Sequence, residues 1–259
     1  MDGTNSSNGH KKLYVAAPIY GTVDPHFFKC WHNISTSPSL PFSLMMDIQV
    51  GDSLVPRARN TLTRRFLESD ATHLLFIDSD LIFSLEHIAR IMSHGLDIVG
   101  GVYCKKQEGD VQVVCNAIGI QPEFGPDGVT RVSYIGTGFL CISRKVFEVM
   151  IQEFGREMWY LVDPDHKQKE YDFWHCGRYE YKDGSPTRYL SEDWWFCQKA
   201  MDAGFKVWMD RAVILGHSGN AIYPLQYQQK QLLERFTQPA KAGAAEAAPS
   251  IPAETVPAT

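Results

Sequence analysis

The chain has 259 residues, with 25 lysines and arginines against 30 acidic residues and a net charge of −5. Hydrophobic residues make up 44% and charged residues 21% of it, as in ordinary globular proteins, which excludes a wholly disordered, collagen-like or coiled-coil chain. This charge balance lacks the broad basic surface that non-specific nucleic-acid binding requires. We therefore expect a folded protein that has no nucleic-acid partner.

The two ends of the chain differ in composition from the rest. Residues 1–11 are polar, with no apolar signal core after a basic start, which predicts a disordered N-terminal segment and a cytoplasmic protein. Residues 238–259 hold eight alanines, four prolines and no aromatic residue, so we expect a disordered tail. Apolar runs such as Leu74–Ile77 are far shorter than the roughly 20 residues that span a bilayer. The sequence thus predicts no transmembrane segment and one folded domain over residues 12–237.

Between these ends, short apolar runs alternate with helical patterns. The alternation favours an α/β domain with a mixed, mostly parallel central sheet flanked by helices. Ser53, Ser84, Ser143 and Ser191 can cap helices, and Pro56 suits a first helical turn. The predicted strands are 13–17, 43–48, 73–77, 96–102, 111–118, 139–143, 205–209 and 212–216. The predicted helices are 54–68, 84–94, 144–154, 191–203 and 222–236.

One long polar segment, from Asp163 to Tyr189, interrupts this alternation. It is rich in Asp, Lys, His and Tyr and has little periodicity, which is typical of a long functional loop. Its charges suit a lid that excludes water from a ligand site.

Two carboxylates follow an apolar predicted strand. The strand His73–Ile77 stops at Asp78-Ser79-Asp80, and side chains two apart on an extended chain point to the same side. At the carboxyl end of a parallel strand, such a pair can hold a divalent cation that bridges to phosphate oxygens. The alternative is that these acids cap the next helix, but Ser84 already offers that cap. The motif therefore predicts a metal site at Asp78 and Asp80.

An arginine borders the apolar stripe of the helix predicted over 54–68. Val55 and Leu62 belong to this stripe, and Arg59 projects close to the Val55 direction, whereas Arg57 lies on the opposite side. A guanidinium near the amino end of a helix suits a planar anion such as a diphosphate. The alternative is an arginine whose stem packs on the surface and whose charge meets an acidic neighbour.

Two acids open the helix predicted over 191–203. Glu192 and Asp193 precede Trp194, Trp195 and Phe196, which could wall a cleft. An acid on apolar ground can have its pKa raised toward the range of a general base. The alternative is that both acids only oppose the helix dipole.

A histidine follows one other predicted strand, and a pair of glycines precedes another. His217 comes at the end of the strand 212–216, where its imidazole could join the metal ligands, although a structural histidine is the competing interpretation. Gly136 and Gly138 precede the strand 139–143. They lack the third glycine of a dinucleotide fingerprint, since Cys141 stands in its place, which disfavours a Rossmann dehydrogenase.

In this order, the segments resemble the GT-A fold glycosyltransferases, the large family of nucleotide-sugar-dependent inverting enzymes with DxD, ED and C-terminal His motifs. The segments that carry the resemblance are Val15–Tyr20, Arg57–Asn60, Asp78–Asp80, Gly136–Leu140, Arg144–Glu148, Glu192–Asp193, Ala203–Val207 and His217. Together they extend over roughly residues 13–219.

The resemblance implies an enzyme that moves a hexose or pentose from a nucleoside-diphosphate sugar to a hydroxyl of a sugar or glycoconjugate acceptor. Mn²⁺ or Mg²⁺, held by Asp78, Asp80 and His217, would neutralise the departing diphosphate. Asp193 would act as the base if the reaction inverts the anomeric centre. The residues expected to bind substrate are Pro18 and Tyr20 around the nucleoside, Ser79 near the ribose, and Arg57, Arg59, Gly138, Glu192 and Trp194.

The sequence departs from the family pattern at one point, and two other functions are compatible with it. The usual acid after the second strand has two candidate counterparts, Asp47 and Asp52. A sugar-phosphate nucleotidyltransferase is one alternative, although Pro18–Thr22 lacks the basic residue of its glycine-rich loop. The other is a non-catalytic module of the same fold that binds nucleotide sugars or carbohydrates.

Overall fold

The computed structural model describes residues 11–37, 40–106, 112–117, 120–121, 123–163, 165, 167–219 and 222–223. The α-helices are α1 Pro25–Ser35, α2 Val55–Glu68, α3 Leu85–Ser93, α4 Arg144–Met158 and α5 Glu192–Asp202. The strands of the central sheet are β1 Lys12–Ile19, β2 Ser43–Val50, β3 His73–Ile77, β5 Ile98–Val102, β7 Val129–Val132, β9 Phe139–Ser143 and β14 Val207–Ile214. The shorter strands are β4 Leu81–Ile82, β6 Cys115–Asn116, β8 Tyr134–Ile135, β10 Trp159–Asp163, β11 Gln168–Tyr171, β12 Gly177–Tyr179, β13 Arg188–Leu190, β15 Gly216–Ser218 and β16 Ile222–Tyr223.

The seven strands of the central sheet lie in the order β2-β1-β3-β9-β5-β14-β7. The pairs β2–β1, β1–β3 and β5–β14 are parallel, and β3–β9, β9–β5 and β14–β7 are antiparallel. Strands β9 and β7 therefore run opposite to the other five. The predicted α/β class with a mixed sheet is confirmed, with helices on both faces of the sheet.

Alternate residues of each central strand enter two hydrophobic clusters, one on each face of the sheet. On β3, Leu74 and Phe76 pack with residues of α2, α4 and α5, whereas Leu75 and Ile77 pack with residues of α1 and α3. This strand is buried on both sides, which explains why its sequence is a continuous apolar run. Burial on both faces fixes the register of β3. The residues that follow it, Asp78–Asp80, therefore lie at a defined edge of the sheet.

Most predicted elements up to residue 143 are present within a few residues, but the described part of the predicted strand 111–118 holds only the short strand Cys115–Asn116 and a single bridge at Val113. The strands 73–77 and 139–143 have the predicted bounds, and α2 begins with Pro56 in its first turn. Helix α1 was not predicted, although Asp24 caps it and Pro25 begins it, a usual start signal. The predicted strands 205–209 and 212–216 are instead the single strand β14 followed by β15, because β14 goes on pairing with β5 after a shift of register between Met209 and Ile214.

The prediction of one long loop from Asp163 to Tyr189 is wrong in its middle part. Residues 168–179 contain β11 and β12, and Phe173 and Trp174 are fully buried in the core. The helix predicted from residue 222 is also wrong at its start, since Ile222–Tyr223 is the strand β16. The rest of that helix and the predicted disorder of residues 1–10 and 238–259 lie outside the described residues.

Candidate functional site

Two short strands bring distant parts of the chain together at the end of β3. After Ile77 the backbone turns through Asp78–Asp80 into β4, and β15 pairs with β4 in antiparallel register, with His217 opposite Leu81. The amide of Ser218 donates to the carbonyl of Asp80 over 2.8 Å. The three predicted metal ligands therefore come from two adjoining segments at one edge of the sheet.

His217 is held so that one ring nitrogen is free to act as a ligand. Its Nδ1 lies 2.6 Å from the carbonyl oxygen of Cys104, which can only accept, so Nδ1 carries the proton and Nε2 keeps its lone pair in the neutral ring. Nε2 is 3.5 Å from Oδ1 of Asp80. A backbone partner that fixes the tautomer is the usual companion of a metal-binding histidine.

One carboxylate oxygen of Asp80 is paired with the ammonium of Lys106, and the other is not. The ammonium of Lys106 donates to Oδ2 over 2.6 Å, whereas Oδ1 is buried and, within the described residues, has no hydrogen-bond partner. Burial alone would raise the pKa of Asp80, but Lys106, together with His217 when its ring is protonated, lowers it below its ordinary value. The carboxylate is thus ionised and attracts positive charge.

A buried arginine of α2, Arg59, holds the carboxylate of Asp78 in place. Nη2 of Arg59 donates to Oδ1 of Asp78 over 2.7 Å, and the guanidinium lies over the rings of Phe76 and Trp174, 5.1 and 5.9 Å from their centroids. Burial opposes the charge, but Asp78 and Glu192 raise the pKa of Arg59 above its ordinary value. Because Arg59 is only 3% exposed, its predicted contact with a diphosphate stays a prediction, and what the structure gives it is the orientation of Asp78.

A tyrosine that the sequence reading missed completes this group. Tyr103 follows β5, and its ring packs edge-on against that of His217, with centroids 5.3 Å apart. The amide of Gly138 donates to its hydroxyl oxygen over 2.9 Å, and a Cβ at Gly138 would lie 2.6 Å from that oxygen. Burial and then Asp78 raise the pKa of Tyr103 well above its ordinary value. Its position at the carboxyl end of a parallel strand was the signal that could have found it.

Gly138 itself lies in the wall beside the carboxylates. Its carbonyl accepts from the amide of Asp78 over 2.9 Å. A Cβ at Gly136 would likewise lie 2.4 Å from the Tyr103 hydroxyl. The glycine pair is therefore explained by the close approach of Tyr103, and the predicted substrate contact of Gly138 is untested.

The two acids at the start of α5 have different surroundings. Asp193 accepts from the hydroxyl of Ser191 and from the amide of Trp194, the latter over 2.8 Å. Burial first, and then the charge of Asp193, raise the pKa of Glu192 above its ordinary value. Arg59 lies over the Trp174 ring, which stacks on Phe196 of α5 with centroids 4.4 Å apart, so α5 packs near the Asp78 group. The structure leaves both acids as candidates for the base.

The aromatic residues after these acids form two stacks. Trp194 lies parallel to Tyr134, with centroids 4.2 Å apart, and the guanidinium of Arg188 lies 5.2 Å from its ring centroid. Trp195 instead contacts His175, with centroids 4.4 Å apart. Tyr134 and Arg188 therefore hold the Trp194 ring in place. Its predicted substrate contact is untested.

The remaining predicted substrate residues lie near the ends of β1 and β2 or in the turn after β3. Pro18 is half-buried at the end of β1, the Tyr20 side chain is 67% exposed, and Ser79 is half-buried between the two aspartates. Nε and Nη2 of Arg57 donate to Oδ2 and Oδ1 of Asp52, each over 2.8 Å. Tyr20 thus lies at the surface, and the binding roles of all four residues stay predictions.

The structure separates the two candidate counterparts of the acid expected after the second strand. Asp47 lies within β2 and accepts from the hydroxyl of Tyr14 over 2.5 Å. Asp52 follows β2, at the same edge as Asp78, and the Arg57 side chain lowers the pKa of its carboxyl. Asp52 is therefore the candidate that lies at the same sheet edge as Asp78.

The candidate site has side-chain atoms that could bind a cation, but they do not form a complete set of ligands in the described residues. In the described part of the chain, no three His, Cys, Asp or Glu side chains already converge on one metal position. Mg²⁺ in phosphate-transfer sites is commonly bound by one or two protein carboxylates together with substrate phosphates and waters. The free Nε2 of His217 and the unpartnered Oδ1 of Asp80 fit such an incomplete set.

Comparison with known proteins gives distant structural neighbours. No family model and no curated protein matches the sequence. The structure of S. aureus TarS residues 1–349 in complex with UDP-GlcNAc is similar with a TM-score of 0.42 and 12% identity, over 82% of this chain and 57% of that one. A glycosyltransferase involved in the glycosylation of the major capsid of PBCV-1 is similar with a TM-score of 0.32 and 9% identity, over 56% of this chain and 67% of that one.

This chain spans little more than half of the TarS chain that it matches. At such scores, function has to be argued from the side chains. Within the described residues, no helix is both long and apolar enough to cross a membrane.

Proposed function

We propose that this chain is a metal-dependent glycosyltransferase that moves a sugar from a nucleoside-diphosphate sugar to an acceptor hydroxyl. The observation that carries the proposal is the pairing of β15 with β4, which places the free Nε2 of His217 3.5 Å from the unpartnered Oδ1 of Asp80, beside Asp78. A half-buried imidazole and carboxylates that each have an oxygen available to a ligand are suited to Mn²⁺ or Mg²⁺.

When bound there, the cation would stabilise the negative charge of the departing nucleoside diphosphate. Asp80 and His217 would hold it, and Arg59 would keep Asp78 in place beside it. The ammonium of Lys106 already lies 2.6 Å from Asp80, which supports the preference of this point for positive charge. Asp52 and Pro18, at the ends of β2 and β1, would face the nucleoside.

The acceptor hydroxyl needs a base on the other side of the reacting carbon. Asp193 is proposed for this role, since it opens α5 beside the Asp78 group and can take the hydroxyl proton as the new bond forms. Glu192, with its raised pKa, would then help to hold the substrate near Arg59 and Asp78.

The proposal is tested by thermal unfolding with the four nucleoside diphosphates, each with and without Mn²⁺. A ligand at about 100 times its dissociation constant adds roughly 2.7 kcal/mol of stability. We expect one base to raise the melting temperature only when Mn²⁺ is present, and the matching nucleotide sugar to be hydrolysed slowly. Equal melting temperatures under all conditions would contradict the proposal, and binding without hydrolysis or transfer would indicate a non-catalytic module.

A further inference from the structure

The segment that follows β5 lies against the proposed cation site. Strands β3 and β5 both run antiparallel to β9, so their carboxyl ends lie at the same edge of the sheet. The ring of Tyr103 and the carbonyl of Cys104 both contact His217. Two residues further on, Lys106 contacts Asp80. The first two contacts orient the imidazole, whereas the contact of Lys106 puts a positive charge where the function proposed above requires a metal ion.

The ammonium of Lys106 neutralises Asp80 without being needed to hold the fold together. Nζ of Lys106 donates to Oδ2 of Asp80 over 2.6 Å, and the two side chains are 33% and 37% exposed. Salt bridges at this level of exposure contribute little to stability. The backbone beside Lys106 is fixed independently, because the amide of Lys105 donates to the carbonyl oxygen of Gln112 over 2.8 Å. The Lys106 side chain can therefore leave Asp80 while its segment stays in place.

The two aspartates and their cations balance one another. Asp78 is paired with Arg59, and Asp80 is paired with Lys106, so these four side chains carry no net charge. A divalent cation alone would give them an excess of positive charge, and a diphosphate alone would give them an excess of negative charge. When both ligands are present, their opposite charges offset each other. The charges at this edge thus favour joint binding of a divalent cation and a diphosphate.

The two cations differ in their freedom to change partners. Arg59 is 3% exposed and lies over two aromatic rings of the core, which hold it beside Asp78. Lys106 instead has a flexible four-carbon stem, and a compact ammonium is a common partner of phosphate oxygens. A divalent cation on Asp80 repels an ammonium on the same carboxylate. The arrival of a metal ion therefore drives Lys106 away from Oδ2.

We infer that Lys106 is a built-in counter-ion of Asp80, that a divalent cation displaces it, and that the released ammonium binds the diphosphate of the nucleotide. The inference rests on the proposed function and adds to it a diphosphate-binding residue outside the motifs that carry the resemblance. It also couples the two ligands, because the cation frees the group that binds the diphosphate. The nucleotide in turn holds Lys106 away from Asp80 and so strengthens the binding of the cation.

The test removes the ammonium and measures the two ligands separately. Lys106→Met keeps an unbranched side chain without the charge, and Lys106→Gln is a second neutral variant. Lys105→Met is the matched control, since Lys105 is the neighbouring residue and its ammonium binds Oε1 of Gln112 over 3.2 Å instead of an aspartate. Calorimetry gives the affinity for Mn²⁺ alone and, at saturating Mn²⁺, for each of ADP, CDP, GDP and UDP. Thermal unfolding without ligands checks that each variant is folded.

We expect both Lys106 variants to bind Mn²⁺ alone roughly twofold to fivefold more tightly than the wild type, because the metal no longer has to displace an ammonium. At saturating Mn²⁺, the same variants should bind the preferred nucleoside diphosphate at least roughly tenfold more weakly, because a charge-assisted hydrogen bond is lost. Lys105→Met should match the wild type in both titrations. All variants should melt near the temperature of the wild type.

A Mn²⁺ affinity that is unchanged or lowered in the Lys106 variants would overturn the counter-ion role, and an unchanged nucleotide affinity would overturn the contact with the diphosphate. Equal changes in Lys105→Met would assign them to the net charge of the segment and would also overturn the inference. In each of these outcomes the wild type still binds nucleotide in a Mn²⁺-dependent way, so the proposed function survives. A wild type whose nucleotide binding does not depend on Mn²⁺ would instead contradict the proposed function, and the inference with it.

Discussion

Arg59 and Asp78 form an ion pair in which the arginine side chain is 3% exposed and the aspartate side chain 31% exposed. The buried partner belongs to α2 and the exposed one to the turn after β3. Since Nη2 of Arg59 is bound to Oδ1, the carboxylate cannot rotate freely. The helix thus sets the direction in which Asp78 presents its remaining oxygen.

Replacing Arg59 by lysine should weaken Mn²⁺ binding without abolishing the fold. Lysine keeps the charge but loses the planar fork that orients the carboxylate. We expect the Mn²⁺ affinity measured by calorimetry to fall about 10-fold to 100-fold, as for other residues that orient metal ligands. Arg64→Lys, on the same helix but paired with Glu68 and Glu170, is the control and should leave Mn²⁺ affinity unchanged. The same affinity in both variants would argue against the orienting role.

Asp80→Asn should abolish most of the Mn²⁺-dependent nucleotide binding. The substitution keeps the size of the side chain but removes the charge that faces His217 and Lys106. We expect at least about a tenfold loss of affinity, and a similar loss for Asp78→Asn. Asp70→Asn, at a surface acid paired with Lys12, serves as the control in the same titration. Unchanged Mn²⁺-dependent nucleotide binding in both Asp78→Asn and Asp80→Asn would refute the metal site.

Asp193→Asn should lower turnover by roughly 10²-fold to 10⁴-fold while donor affinity stays near that of the wild type. The amide cannot accept the proton of the hydroxyl. If Asp193 only opposes the helix dipole, the change would instead cost at most about 1 kcal/mol of stability and leave turnover intact. Glu192→Gln is measured beside it, and a larger loss of turnover in that variant would move the base to Glu192.

Asp210→Asn should destabilise the fold in a pH-dependent way. Asp210 is fully buried on β14 and binds Nε of Arg90 and Nε2 of His94, each over 2.6 Å. Burial would raise its pKa, but Arg90 and His94 lower it below the ordinary value of 3.8. The folded state thus favours the charged form, and this stabilisation is present above the ordinary pKa and is lost as pH falls through the lowered one.

The expected loss in free energy of unfolding is about 3 kcal/mol near neutral pH, because one partner of a buried ion pair is removed. Urea unfolding of the variant and the wild type should show this difference at pH 7 and a smaller one below pH 3.8, the ordinary value of the group. A difference that grows on acidification would have the wrong sign for this account.

Hydrogen exchange should divide the segment between Asp163 and Tyr189 into two parts. Phe173 and Trp174 are buried, so the amides around them should be protected without ligand. Residues 182–187 are exposed, and Gly184 has a positive φ in the turn there. If a lid exists, only these residues should gain protection when nucleotide sugar and Mn²⁺ are added. Equal exchange with and without donor would count against any lid.

The sequence predicted elements well where burial imposes a pattern. His73–Ile77 is buried on both faces and its bounds were predicted correctly, and the paired acids after it lie at the expected sheet edge. The prediction of one long loop over residues 163–189 was wrong because Phe173 and Trp174, which belong to the core, are surrounded in sequence by polar residues. Glu170 is buried as well, neutralised by Arg64, a compensation that only the tertiary structure displays.

Other features of the site depend on contacts between residues far apart in the chain. Tyr103 carries no sequence motif, and its place was set by the glycines at 136 and 138, which leave room for its hydroxyl. Likewise, the tautomer of His217 depends on the carbonyl of Cys104, 113 residues earlier. Such long-range backbone partners cannot be read from composition or spacing.

The antiparallel pairing of β15 with β4 has a consequence for the order of assembly. Ser218 donates its hydroxyl to Asp24, which caps α1, and its amide to Asp80, so one residue late in the chain closes a structure begun by two early ones. During synthesis, β1 to β3 and the first two helices leave the ribosome long before His217 does. The strands β1 to β3 can therefore pack before the proposed cation site has its imidazole, and metal-dependent nucleotide binding, if it occurs there, would follow the formation of this part of the sheet.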